Sequence, residues 1–147
     1  INMATQDIMS MIRGNSYLTD GTLRYRSANE GDASRWLFVD NEGVIRSATA
    51  QALANKVGIN ARAVGADYTQ ALIPISLQLA NWAQKIIFLD RDSYDKAAEL
   101  FQEHEYDWLS VVDKSQILDV TDTASAYFYM SSQLVTVLKE KIPELAE

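Results

Sequence analysis

The chain has 147 residues, 48% of them hydrophobic and 22% charged, with a net charge of −7 and a pI near 4.7. That is one domain by length, with enough material for a real core and the ordinary composition of a globular protein. The acidic balance argues against duplex nucleic acid or an anionic membrane surface as a partner, and the absence of Cys excludes disulfides, thiolate metal sites and a thiol nucleophile.

No apolar run approaches the ~20 residues that span a bilayer, and no signal-peptide pattern opens the chain, so the expected location is cytoplasmic. Residues 1–35 read as an N-terminal arm. Ala4, Ile8, Met11 and Ile12 sit at helical spacing, ended by Gly14-Asn15. Tyr17–Thr19 and Thr22–Tyr25 flank Asp20-Gly21 as a small hairpin would. Ser27–Ser34 is polar and small, a linker in composition.

From Trp36 to the end, 36–147, strands and helices alternate. Trp36-Leu37-Phe38-Val39 is a short apolar run of the kind that fills a buried parallel strand. A tight turn from Asp40 to Arg46 leads into a helix from Ser47 with Ala50, Leu53 and Ala54 on one face. Ala61–Val64 makes a second strand ending at Gly65. Leu72, Ile75, Leu79 and Trp82 form an apolar stripe on a helix expected to start at Pro74, a favoured first-turn residue. Lys85–Asp90 is a third strand, and Ser93–Phe101 a helix with Ala97, Leu100 and Phe101 inward. Glu103–Asp113 reads as irregular and acidic, and contains the single histidine, His104. Gln116–Val120 is a fourth strand, and Ser131–Lys141 a last helix presenting Leu134, Val135 and Leu138. The expected fold class is α/β: a three-layer, four-stranded parallel sheet with helices on both faces and ligand sites beyond the strand C-termini. Asp40, Gly65, Asp90 and 119–122 fall at those ends. Asp90-Arg91-Asp92 reads as a helix cap with a surface pair.

Strand, tight turn and helix N-terminus is the usual way to aim backbone N–H groups at an anion. The turn also carries two carboxylates, Asp40 and Glu42, where an anion site would want none. Arg46-Ser47-Ala48-Thr49-Ala50 resembles the Arg-Ser-Pro-Thr-Ala that follows the phosphate loop of low-molecular-weight protein tyrosine phosphatases. The resemblance continues in order through Gly58-Ile59, Ala63-Val64-Gly65, Trp82–Leu89, Leu118–Asp122 and Tyr129-Met130. It implies a phosphate loop over Asn41, Glu42, Gly43, Val44 and Ile45. Arg46 then clamps phosphate, Ser47 supports the nucleophile, and Asp119 or Asp122 stands at the general-acid position. Counting back from Arg46 places Asp40 where that family has its nucleophilic Cys. A carboxylate there, with Glu42 beside it, repels a phosphate dianion and pairs naturally with Arg46.

The expectation is therefore a tyrosine phosphatase-like protein that is catalytically silent, a pseudophosphatase acting as a binding or regulatory protein. No cofactor or metal is expected, and a phosphorylated protein or small phosphate ester is the implied ligand class. Phe38–Val44 also resembles the first motif of haloacid-dehalogenase-type phosphatases. In that alternative Asp40 is the nucleophile of a Mg²⁺-dependent phosphohydrolase, Asp119 or Asp122 a metal ligand, and Lys85 or Lys114 a phosphate contact. Tyr127, Phe128 and Tyr129 line the substrate slot under the phosphatase resemblance, or pack under the last helix. His104 reads as a surface residue.

The arm supplies the first prediction. Ile8, Met11, Ile12, Leu18 and Leu23 would expose apolar surface unless packed on the domain or on a second copy in a homo-oligomer. Deleting residues 1–30 should lower the melting temperature or change the mass in solution, measured by calorimetry and light scattering.

Overall fold

Every position from Trp36 to Val39 is buried, so this strand needs cover on both faces. In the computed structural model, which describes residues 33–121 and 127–146, it is strand β1, Arg35–Asp40. The helix and hairpin expected in the arm lie outside the described residues, as does Asp122. Beyond β1 come α1 (Arg46–Lys56), β2 (Asn60–Gly65), α2 (Leu77–Trp82), β3 (Lys85–Phe88), α3 (Arg91–Glu103), α4 (Trp108–Val112), β4 (Ser115–Ile117) and α5 (Ser132–Lys141). A 3-10 turn, Pro143–Leu145, closes the described chain.

The four strands form one parallel sheet in the order β2-β1-β3-β4. Side chains alternate across it. Trp36, Phe38 and Ile87 pack with Leu53 and Ala54 of α1 and with Leu134 and Leu138 of α5. Leu37, Val39, Ile86 and Phe88 pack with Ala80 of α2, Ala97 and Phe101 of α3, and Val111 of α4. The period-two alternation of a strand thus feeds two separate cores from one apolar run. The result is the expected three-layer α/β fold. Among the described residues no helix is long and apolar enough to cross a membrane.

Three expectations change. The segment after β2 does not enter a helix at Pro74. Pro74 forms an isolated parallel bridge with Gly65, and the helix starts only after Ser76, whose hydroxyl accepts the Leu79 amide at 3.2 Å. Leu72, read as part of the buried stripe, is 75% exposed. The acidic stretch before β4 is not wholly irregular: Asp107 caps α4 through the Ser110 amide, and Trp108 packs edge-on against Tyr94 and Phe101. β4 begins at Ser115 and regular pairing ends at Ile117. The chain still follows β3, with the Leu118 and Val120 amides bonded to the carbonyls of Phe88 and Leu89.

Gly65 ends β2 where the chain after β1 crosses over it. A Cβ built on Gly65 would sit 2.6 Å from both the Asn41 carbonyl oxygen and the Ala71 Cβ. Gly65→Ala should therefore push the 41–43 turn off the sheet and cost about 1–3 kcal/mol. Denaturant unfolding, with the Gly43 amide resonance as a local reporter, checks both effects.

Candidate functional site

Four of the five described helices carry their own N-cap: Ser76, Asp90, Asp107 and Ser131 each accept an amide of the first turn. α1 does not. Its N-cap residue is Ile45, whose side chain cannot accept a hydrogen bond. Asp40, five residues upstream at the end of β1, takes the role instead. Its Oδ2 accepts the Ser47 amide at 2.9 Å, and its Oδ1 accepts the Gly43 amide. The 40–46 turn thus closes around the Asp40 carboxylate, which is only 2% exposed. The positive end of the α1 dipole further favours a negative group there.

The turn can curl this tightly because Gly43 adopts φ +80°, and a Cβ there would meet the Val64 carbonyl carbon at 2.8 Å. Backbone hydrogen bonds fasten it to the chain after β2. Asp40, Asn41 and Glu42 carbonyls accept the amides of Ala66 (2.7 Å), Asp67 (2.9 Å) and Leu72 (3.2 Å). Loop and following segment therefore form one ledge at the sheet's C-terminal edge.

Arg46, the first residue of α1, is also buried and points into the turn's surroundings. Its Nη1 donates to Asp90 Oδ2 at 2.6 Å and to the Val120 carbonyl at 2.8 Å. The expected pair with Asp40 is present but is the longer one, Nε to Oδ2 at 3.9 Å. Asp90 is thus more than the helix cap with a surface pair read from the sequence. It does cap α3 through the Ser93 amide at 2.9 Å, yet it is buried and holds the arginine. Burial works against ionisation of Asp90, but the Arg46 guanidinium and the Ser93 amide outweigh it and hold its carboxyl below the ordinary value.

A cavity of about 310 Å³ opens over these groups, lined by Asp40, Asn41, Glu42, Val44, Ile45, Arg46, Asp90 and Thr121. Seven of these eight come from the strand ends or loop singled out in the sequence, and Thr121 comes from the 119–122 segment. Gly43 and Ser47 do not line it. Ser47 lies fully buried, and its Oγ finds no hydrogen-bond partner among the described residues. Asn41 donates from Nδ2 to Asp92 at 3.0 Å, while its Oδ1 is buried without a partner.

Other expected residues are placed elsewhere. Asp119 is exposed and is not among the lining residues, so the described part of the acid segment brings Thr121, not a carboxylate, to the cavity. Lys85 and Lys114 stand at the opposite edge of the sheet, where β3 and β4 begin. Lys85 lies over the Trp36 ring at 4.5 Å and near Glu144, and Lys114 donates to the Ala83 carbonyl at 2.6 Å. Neither lines the cavity. His104 is exposed and stacks on Tyr106. Tyr127 packs against the α1–α5 core, whereas Phe128 and Tyr129 face outward, 67% and 51% exposed. Among the described residues no group of three or more His, Asp or Glu is placed to hold a metal. Asp90 and Thr121 are the lining residues to which the sequence assigned a position but no role in the site. Their signal was positional: each follows a parallel strand's C-terminal end.

No family model, curated protein or solved structure matches this chain.

The depressed Asp90 carboxyl sets a pH dependence. A group held below its unfolded pKa contributes stability above that pKa, near 3.8 for Asp, and the contribution is lost as pH falls through the folded value. Unfolding free energy should therefore drop as the solution is acidified below about pH 4. Asp90→Asn should flatten that acid limb and destabilise the protein at pH 7 by about 3 kcal/mol, because Arg46 loses its nearest counter-charge. Urea titrations across pH check both.

Proposed function

We propose that the chain is a tyrosine phosphatase-like protein without catalysis, acting by binding, in which Asp40 supplies from within the anion that such a loop is built to hold. One observation carries this reading. The amide of Gly43 in the 40–46 turn and that of Ser47 just after it already bond the Asp40 carboxylate. The ordered likeness of Arg46–Ala50 and the segments after it to that phosphatase family supports the same reading from the sequence side.

The chemistry agrees. A phosphate entering the cavity would meet Asp40, Glu42 and Asp90, with Arg46 already engaged by Asp90. Repulsion of a dianion by carboxylates a few ångströms away amounts to several kcal/mol, about the Coulomb value at intermediate dielectric. Phosphorylated proteins and small phosphate esters are therefore not ligands of the loop as it stands. Asp40 is also poorly disposed as a nucleophile, since both its oxygens accept backbone amides.

Replacing Asp40 by Cys removes the internal anion and supplies a thiol at the helix N-terminus, where its pKa falls. The unmodified protein should hydrolyse no aryl phosphate, with or without Mg²⁺. Asp40→Cys should bind phosphate and show at least trace turnover, rising further with Glu42→Gly. Mg²⁺-dependent turnover by the unmodified protein, abolished in Asp40→Asn, would replace this reading with the aspartyl-phosphate one. A folded Cys variant that neither binds phosphate nor reacts would overturn it as well.

A further inference from the structure

The two edges of the sheet are finished differently. The β2 edge is closed. The Gly65 amide donates to the Ile73 carbonyl and its own carbonyl accepts the Ile75 amide, both at 2.9 Å. Asn55 Oδ1 accepts the Ala61 amide at 2.9 Å, and Arg62 Nη1 donates to the Ala61 carbonyl at 3.2 Å.

The β4 edge is open. The Lys114 carbonyl and the Leu118 and Val120 amides all bond toward β3, so the even-numbered positions of this segment face the sheet. Ser115, Ile117 and Asp119 therefore turn their amides and carbonyls outward. Among the described residues nothing bonds those groups. A bare strand edge is a template for another strand, and proteins that stay single blunt it with Lys or Pro. Ser115-Gln116-Ile117-Leu118-Asp119 contains neither. Exposed apolar side chains flank the same edge. Ile117, in register with Phe88, lies on the α4 side of the sheet and is 37% exposed. Leu109 (73%) and Val112 (38%) lie one turn apart on α4, which runs into β4 through Asp113 and Lys114.

We propose that β4 pairs with β4 of a second copy of the chain, antiparallel and centred on Ile117, joining the two sheets across a twofold axis. The open positions are symmetric about Ile117, which makes this edge complementary to itself. Ile117 meets its own counterpart, and Ser115 lies opposite Asp119 in both directions. All three outward residues of each copy then face outward residues of the other, as hydrogen-bonded antiparallel pairs require. The register also keeps the carboxylates apart: Asp119 faces a serine and not a second Asp119, and like charges directly opposite would oppose pairing. The axis stands perpendicular to the sheet, so both α4 helices lie on one side of the junction, with Leu109, Val112 and Ile117 beside it. Closed twofold dimers are the commonest assembly of identical chains. The dimer does not depend on what the 40–46 turn holds.

The test uses the full chain. Sedimentation should show a monomer–dimer equilibrium below about 1 mM. The Ile117 and Asp119 amides should exchange with deuterium at least about tenfold more slowly in concentrated than in dilute protein, while the Gly43 amide is unchanged. Ile117→Pro deletes an outward amide alone and should abolish the dimer without unfolding the chain. Ile117→Lys sets two ammonium groups face to face and should do the same. Ile117→Cys, in a chain with no other cysteine, should give a disulfide-linked dimer on mild oxidation, because paired Cα atoms about 5.5 Å apart lie within disulfide reach. Ser115→Cys should not, since the two Ser115 positions stand about 14 Å apart along the strands. A chain still monomeric at about 1 mM overturns the proposal. So does a dimer that persists in folded Ile117→Lys, or equal cross-linking of the two Cys variants. Should Ile117→Pro fail to fold, Ile117→Lys and the cross-linking pair decide.

Discussion

The bond from the Asp40 carboxylate to the first turn of α1 is the contact on which the rest of the site depends. Helix N-termini leave amides unsatisfied, and most helices answer with a side chain at the N-cap. α1 has Ile45 there and so requires an acceptor from elsewhere. Asp40 reaches it because β1 ends directly beneath the helix start, and the turn between them is short and closed by Gly43. With one oxygen on Gly43 and the other on Ser47, the carboxylate fixes both ends of the turn. Removing it would leave buried donors unpaired, so its place in the fold follows from hydrogen bonding whatever else the site does.

The sheet order explains why this turn meets the residues that it does. β1 is followed in sequence by β2 on one side, and β3 and β4 lie on the other, so the connections diverge at the C-terminal ends of β1 and β3. A crevice forms at such a switch point, and ligands of open parallel sheets bind there. Asp40 ends β1, and Asp90 follows β3 after one intervening residue. Arg46 crosses the crevice to Asp90 and to the Val120 carbonyl, joining α1 to the chain beyond β3 and β4. The same arginine that a phosphate loop would turn toward its anion is here a tie across the sheet.

Two carboxylates around one buried guanidinium define the site's chemistry. In the tyrosine phosphatase-like scaffold proposed here, the anion is covalently part of the chain, and the cavity above it is electrostatically the reverse of a phosphate pocket. Beside the turn, the 68–73 segment exposes Tyr68, Leu72 and Ile73. That segment departs from the buried helical stripe because Pro74 bridges to Gly65 and holds the preceding residues out of the helix.

Much of the fold was legible along the chain. The short strand patterns at 36–39, 61–64 and 85–89, each followed by a helical pattern, imply a parallel α/β sheet, because strands alternating with helices leave few other architectures. The turn from Asp40 to Arg46, with its Gly and its neighbouring carboxylates, was equally visible as the place where chemistry would concentrate. What the sequence could not supply was adjacency. That β3 lies next to β1, bringing Asp90 to Arg46, depends on strand order, which no local pattern encodes. That Asp40 acts as the cap of α1, and that Asp119 faces solvent while Thr121 reaches the cavity, depends on which way each strand end leaves the sheet. Residue types and spacing determined the elements and the loop; only the packing of one strand end against another decided which charges share a pocket, because Coulomb and hydrogen-bond energies act through distance in space and not along the chain.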